Sequence, residues 1–323
     1  MKKHIILLSA AGLLFSSCGV YTKYKPATEV PDGLYGEETA AFTESTDGSP
    51  VATEDSLNRG LGGMDWRELF TDPHLQALIG QGLQNNTDYQ SAQLRVEEAE
   101  ATLLSAKLAF LPSFAFAPQG TVSSFDSHKA TQTYSLPVTA SWELDIFGRM
   151  RNAKKQSKAL YAQSRDYRQA VRTQLIAGIA NTYYTLLMLD EQLAISRQTE
   201  ETWKETVAST RALMNAGMAD ESAVSQMEAA YYQVQASVLD LEEQINQVEN
   251  SLALLLAETP RRYERGVLAE QQFPADFSIG IPVRMLSCRP DVRSAERTLE
   301  AAFYGTNAAR SAFYPSITLG GSA

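Results

Sequence analysis

The sequence predicts a mainly α-helical fold with a small β part, and three features of the chain carry this prediction. No proline interrupts the interval from Pro137 to Pro260, so a helical conformation can continue across it. Apolar residues recur at alternating gaps of three and four from Val224 to Leu255, which is the heptad pattern of a coiled coil. Around Pro137, apolar and polar residues instead alternate at a spacing of two, as in a β-strand.

The N-terminus has the features of an export signal. Lys2 and Lys3 precede an apolar run that ends at Phe15 and is too short for a membrane-spanning helix. Small residues then lead to Cys18, an arrangement that resembles the lipobox of bacterial lipoproteins, and Gly19 after the cysteine favours sorting to the outer membrane. We predict a signal peptide over residues 1–17 and acylation, as by palmitate, of Cys18, which would anchor the chain to outer-membrane lipid. The alternative is an ordinary signal peptide.

Residues 18–63 are predicted to be an acylated N-terminal tether, because they are rich in polar residues and lack periodicity. The first structural repeat is predicted over residues 64–258. It opens with a short helix from about Pro73 to Leu83, started by Asp72. A longer helix over residues 88–110 follows and stops before Pro112.

Transmembrane β-barrel strands are predicted over about residues 113–145. One apolar and one polar face alternate from Tyr134 to Asp145, which is typical of a barrel strand. Tyr134 and Trp142 are the predicted membrane-interface aromatics. The segment 113–124, interrupted by Pro118, is a poorer partner strand. A soluble hairpin that caps the helices explains the same pattern equally well.

A long antiparallel coiled-coil helical hairpin is predicted over residues 148–257. Its first arm ends where Asn215 and Gly217 provide a C-terminal stop, and Asp220 can cap the second arm. At 1.5 Å per residue, arms of this kind are roughly 60 to 100 Å long. Such lengths are typical of a rod or a tube.

The chain is internally duplicated. After a predicted linker over residues 259–287, the motif Phe110-x-Pro112-Ser113 recurs as Phe313-x-Pro315-Ser316, a shift of 203 positions. Residues 288–323 are therefore predicted to begin a second repeat. This repeat is incomplete, because the chain stops as its first strand begins.

Composition argues against several functional classes. The formal net charge of −10 becomes −12 once Lys2 and Lys3 are removed, and this acidity argues against nucleic acid as a partner. Three well-separated histidines make a metal site improbable, and we expect no cofactor. No nucleophile with a base and no phosphate-binding glycine loop is apparent, so we expect no enzyme activity. Cys288 is interpreted as a structural residue that fills space at the start of a helix.

These elements resemble the TolC-like outer-membrane efflux protein family, in particular its acylated branch that serves resistance-nodulation-division (RND) pumps. The resemblance covers nearly all of the chain after the signal peptide. The motifs that carry it are Ser141–Arg149, Ala216–Ala219, Arg289–Arg293 and Ala312–Ser316.

The resemblance implies a homotrimer in the outer membrane, lipid-anchored and with a large periplasmic part. It implies passive export of drugs or other small molecules, with an inner-membrane RND pump and a periplasmic adaptor as partners. It also implies that the tip of the helical hairpin contacts the adaptor through Asn215, Ala216, Gly217, Met218, Ala219 and Asp220.

An alternative hypothesis is a periplasmic adaptor-like coiled-coil lipoprotein without channel activity. Adaptors also carry a signal, an acylated cysteine and a helical hairpin, but lipoyl-like β halves flank that hairpin. Complete members of the efflux family carry a second strand pair and a second helical hairpin, which holds the gate residues. We therefore expect this chain to be a C-terminally truncated channel that does not conduct by itself.

Overall fold

The computed structural model describes residues 22–26, 65–124, 131–272 and 289–323. The predicted signal peptide, Cys18, Cys288, most of the tether and part of the linker lie outside the described residues. The chain forms two units. Among the described residues, the first unit contains 22–26, 93–124, 131–168 and 289–323, and the second contains 65–92 and 169–272.

Helices dominate the described part of the chain, as the sequence predicts. They are α1 (Trp66–Leu69), α2 (Pro73–Asn85), α3 (Thr87–Leu108), α4 (Arg149–Asn215), α5 (Glu221–Leu256) and α6 (Pro290–Ser311), with a 3₁₀ turn at Leu268–Glu270. The helix predicted to reach Phe110 ends two residues earlier, because the chain tightens into a turn before Pro112. Among the described residues, no helix has both the length and the apolar composition to cross a membrane.

The predicted helical hairpin consists of α4, with 67 residues, and α5, with 36. Four residues of its heptad seam are buried, since Val224, Val238, Ile245 and Leu252 are between 0 and 7% exposed, and the other six seam residues are partly buried. Exposed ion pairs between the arms, such as Arg197 with Glu242, contribute little by comparison. The hairpin is therefore held mainly by burial of its apolar seam.

Five strands are present in the described residues: β1 (Ser113–Phe116), β2 (Gln119–Ser123), β3 (Thr131–Ser135), β4 (Val138–Leu144) and β5 (Ile317–Ser322). β1 pairs with β4, β2 pairs with β3, and β5 lies antiparallel along the other edge of β4. β5 lies in the segment predicted to begin the second repeat. The register places it beside the last strand of the predicted first repeat.

One part of the strand prediction was wrong. The alternating segment from Tyr134 to Leu144 is not a single strand, because β3 ends at Ser135 and β4 starts at Val138. The break lies opposite Pro118, and both Pro118 and Pro137 lack the N–H that a ladder requires. The Ala117 N–H still donates to the Pro137 carbonyl at 3.3 Å. The two ladders therefore keep one register on either side of the break.

The core of the second unit forms where α2 packs on α4 and α5. Leu75, Ile79, Ile179, Leu252 and Leu256 have no exposed surface. Gly82 permits this approach, because a Cβ atom there would lie 2.4 Å from the Ile179 Cδ1 atom. The core thus forms where the C-terminal end of α5 meets α2 and the middle of α4.

Candidate functional site

The predicted adaptor-contact residues form the turn between α4 and α5. Gly217 has a φ of +76°, in the left-handed region that favours glycine. Its N–H donates to the Met214 carbonyl and the Met218 N–H donates to the Leu213 carbonyl, each at 2.9 Å. This is a Schellman stop, which satisfies carbonyls at the end of α4. The Asp220 carboxylate then accepts the Ala223 N–H at 2.8 Å and starts α5.

The tip presents a small, mostly apolar surface. The Met218 side chain is 77% exposed, and a Cβ atom on Gly217 would meet no other atom within 4 Å. Among the six tip residues, only Asp220 carries a charge, and its carboxylate is occupied by the helix cap. The turn can therefore pack against a partner and offer backbone hydrogen bonds, but it has no group suited to catalysis.

The strands present a second candidate surface, which we call the apolar strand face. Ladder partners point to the same side of a sheet, and here Phe116 is opposite Val138 while Trp142 is opposite Leu319. The same parity includes the large apolar residues Phe114, Phe116, Val122, Tyr134, Leu136, Val138, Trp142, Ile317 and Leu319, all between 42 and 74% exposed. The opposite face consists largely of Ser and Thr. A contiguous exposed apolar surface of this kind indicates contact with lipid or with another protein.

The two predicted interface aromatics lie at separate positions on the apolar strand face. Tyr134 is 74% exposed and its hydroxyl donates to Gln132 at 3.2 Å. The indole N–H of Trp142 donates to the Phe110 carbonyl at 3.0 Å, so this ring also ties β4 to the end of α3. Eight residues separate the two aromatics, which at 3.3 Å per residue is about 26 Å along the strands.

The junction from β4 into α4 is built by a polar cluster. Asp145 accepts the backbone N–H groups of Met150 and Arg151, each at 2.9 Å, and so caps the first turn of α4. Gly148 adopts a φ of +74°, which the chain direction change requires. The sequence marked this junction as the start of a helix, but it did not identify Asp145 as the cap.

A buried polar network in the second unit was not predicted. The Tyr183 hydroxyl donates to the Asp72 carboxylate at 2.6 Å and accepts the Gly266 N–H at 2.9 Å. Burial acts to raise the pKa of Asp72, but hydrogen bonds from Tyr183, Gln271 and the backbone outweigh it and lower the pKa. Burial and the bond to Asp72 raise the pKa of Tyr183, so the proton stays on the phenol. The network fastens the segment after the hairpin to α2 and α4.

A second polar cluster fastens the same segment. Arg265 is paired with Asp190 and donates to Glu249 at 2.6 Å, and the Glu249 side chain is only 6% exposed. No motif indicated this cluster, because its members are far apart in sequence. Within the described ranges, no group of His, Cys, Asp or Glu is arranged to hold a metal ion.

Comparison with known proteins gives a consistent result. The model of the family "Outer membrane efflux protein" matches residues 78–258. The chain is 28% identical over 99% of its length to the antibiotic efflux pump outer membrane protein ArpC of Pseudomonas putida. It is 31% identical over 79% of its length to the probable outer membrane lipoprotein SilC of Salmonella typhimurium.

Solved structures agree on the fold. The open state of the MtrE outer membrane channel of Neisseria gonorrhoeae aligns with 94% of this chain at a TM-score of 0.74 and 28% identity. The chain spans 66% of the length of ArpC, 56% of SilC and 66% of the MtrE chain.

Proposed function

The chain belongs to the outer membrane efflux protein family, and from this membership we propose that it is a channel subunit of a tripartite efflux system. In this proposal the chain contributes its helices and strands to a trimeric, passive conduit through which drugs or other small molecules leave the periplasm. An inner-membrane RND pump supplies the energy, and a periplasmic adaptor joins the pump to the conduit. The family is one of transport proteins and not of enzymes.

The apolar strand face is the observation that carries the proposal. Its exposed Phe, Val and Leu side chains are suited to lipid, while the Ser and Thr of the opposite face are suited to a water-filled interior. Tyr134 and Trp142, about 26 Å apart along the strands, match the two aromatic belts that border an apolar band about 25 Å tall. We therefore assign β1 to β5 to the outer membrane.

Two further contacts belong to the proposal. Cys18 is proposed as the acylated residue, supported by the lipobox-like sequence and by the word lipoprotein in the name of SilC. The tip from Asn215 to Asp220 is proposed as the adaptor contact, supported by its exposure and by its position at the end of the hairpin. The alternative, an adaptor-like lipoprotein, is disfavoured because helices and strands flank the hairpin here.

A pair of neighbouring substitutions tests the membrane assignment. Val138 lies on the apolar strand face midway between Tyr134 and Trp142, and Thr139 lies on the opposite face. A lysine facing lipid at this depth costs about 2 to 4 kcal/mol. Val138→Lys should remove the protein from the outer-membrane fraction, while Thr139→Lys should leave it there.

Transport is measured in the same strains. Deleting the gene that encodes this chain should raise the accumulation of an antibiotic inside the cell, and returning that gene with the Thr139→Lys substitution should reverse the effect. If both lysine variants fractionate equally, the assignment of the faces is wrong. If deletion leaves accumulation of every antibiotic and dye unchanged, the proposed export function is wrong.

A further inference from the structure

A short N-terminal segment, residues 22–26, is docked on α6 within the first unit; we call it the strap. The Tyr24 hydroxyl donates to the Glu296 carboxylate at 2.5 Å. The Tyr24 ring lies 5.4 Å from the ring of Phe303 and 6.5 Å from that of Tyr304, in tilted geometry. Aromatic contacts of this type stabilise beyond the area they bury. The strap is therefore held by both a ring cluster and a charge-assisted hydrogen bond.

A second contact holds the strap by its backbone. Asn307 is 1% exposed, and its side-chain amide donates to the Thr22 carbonyl at 3.3 Å. The Oδ1 atom of the same side chain has no partner among the described residues. A buried amide is costly unless it is hydrogen-bonded. Among the described residues, the hydrogen bond to the Thr22 carbonyl is thus the one that compensates for burying the Asn307 side-chain amide.

The direction of the strap follows from these contacts. Thr22 lies beside Asn307, close to the end of α6 that leads into β5. Tyr24 reaches Glu296, which is eleven residues earlier on α6 and about 16 Å away along the helix axis. The strap therefore runs antiparallel to α6, with its N-terminal end toward the strands.

This face of α6 differs from the matching face of its counterpart in the predicted duplication. At a shift of 203 positions, α3 is the counterpart of α6 in the first repeat. The positions that hold the strap on α6, namely Glu296, Phe303, Tyr304 and Asn307, correspond on α3 to Gln93, Glu100, Ala101 and Leu104. None of these four counterparts is aromatic, and Leu104 is 53% exposed. The two helices thus differ at the positions that the strap contacts.

We infer that the strap is a positioning device that fixes the N-terminal part of the chain to the strand end of α6. Tyr24 is the residue that holds the strap in place. Cys18 precedes Thr22 by four residues, so the chain can place it at most about 14 Å from Thr22. A docked strap thus limits how far an acyl group attached to Cys18 can lie from the strand end of α6. The position of the acyl group rests on the proposed acylation of Cys18, but the docking of the strap on α6 does not.

The sequence contains a built-in reporter of the docked state. Trypsin cleaves after Lys23, inside the strap, whereas the Lys25–Pro26 bond resists it. A protease must bind several residues around the cleaved bond in extended form, so it can cleave after Lys23 only when the strap has left α6. The rate of this cleavage therefore measures how often the strap is released from α6. The appearance of a new N-terminus at position 24 is followed by mass spectrometry on the full-length protein in membranes.

Three variants separate the contacts that hold the strap from other effects. Tyr24→Ala removes the ring and the hydroxyl, and Asn307→Ala removes the backbone contact without changing the cleaved sequence. Each should speed cleavage after Lys23 by about tenfold. Tyr232→Ala, which removes an exposed tyrosine of the second unit, is the matched control and should leave the rate unchanged. Equal rates in all four proteins, wild type included, would overturn the strap.

A photo-crosslink provides a readout that does not depend on stability. With p-benzoylphenylalanine in place of Tyr24, illumination should join the strap to the peptide that contains Phe303. Crosslinks only to peptides outside α6 would contradict the docked geometry.

Acylation is tested separately by palmitate labelling of wild type and Cys18→Ser. If the wild type takes up no label, the proposed lipid anchor fails, while slow cleavage and the α6 crosslink would still establish the strap. If label is present but Tyr24→Ala does not speed cleavage and the photo-crosslinker at position 24 does not reach α6, the positioning role fails and the anchor remains.

Discussion

Substitution of Gly217 by alanine and by asparagine distinguishes two reasons why the hairpin tip would tolerate little change. Gly217 has a φ of +76°, and a Cβ atom there would meet nothing within 4 Å. Side-chain bulk therefore causes no clash inside the chain, and the cost of substitution is backbone strain. An L-residue such as alanine costs about 1–2 kcal/mol in this region, and asparagine costs less because its side chain bonds locally.

The two explanations predict opposite orders. If the proposed adaptor recognises the left-handed turn, Gly217→Ala should weaken adaptor binding by up to about tenfold, and Gly217→Asn by clearly less. If added bulk blocks the adaptor, asparagine should be worse than alanine. The exposed turn has little packing to hold it in place, so the strain is relieved by rearrangement of the tip.

The assay is the dissociation constant of the protein for the proposed adaptor, measured in detergent. Ala219→Val serves as a second probe of bulk at the tip, and a bulky residue there is also expected to weaken binding. A larger loss for Gly217→Asn than for Gly217→Ala would refute the strain argument. Unchanged binding in all three variants would refute the assignment of the tip as the contact.

Three further predictions concern the second unit, each measured by equilibrium unfolding. Tyr183→Phe should lower the free energy of unfolding by about 2–3 kcal/mol, because it removes a donor to Asp72 and leaves the Gly266 N–H unpaired. Tyr232→Phe is the exposed control, and equal effects of the two substitutions would show that the Asp72–Tyr183 network is not stabilising. The pKa of Asp72 is lowered in the folded state. The stability that Asp72 contributes is therefore complete above its unfolded pKa of about 3.9 and declines as the pH falls through the folded pKa. Asp72→Asn should flatten this decline, and an unchanged dependence of stability on pH would contradict the role of Asp72 in it. Gly82→Ala should destabilise the protein by about 1–3 kcal/mol through overpacking. Gly80 has open space around it, so Gly80→Ala should stabilise the protein by up to about 1 kcal/mol. A stability change of the same sign in both variants would show that the close approach at Gly82 can relax.

Local patterns determined most of the fold. The heptads from Val224 to Leu255 require a facing helix, and Gly217 and Asp220 mark the turn between the arms, because helix stops and caps depend on residues within one turn of each other. The alternation around Tyr134 likewise identified strands and the side of each that is apolar. The family resemblance rested on short local motifs such as Ser141–Arg149 and was confirmed.

Only the tertiary structure decided which distant groups meet. The register that places β5 beside β4, the bond from Tyr183 to Asp72 and the strap contact from Tyr24 to Glu296 join residues that are between 111 and 272 positions apart or lie in different repeats. Periodicity specifies which face of an element is apolar, but not which partner covers it. Polar pairs such as these leave no local pattern, because each member is an ordinary surface residue until the chain brings its partner within hydrogen-bonding distance.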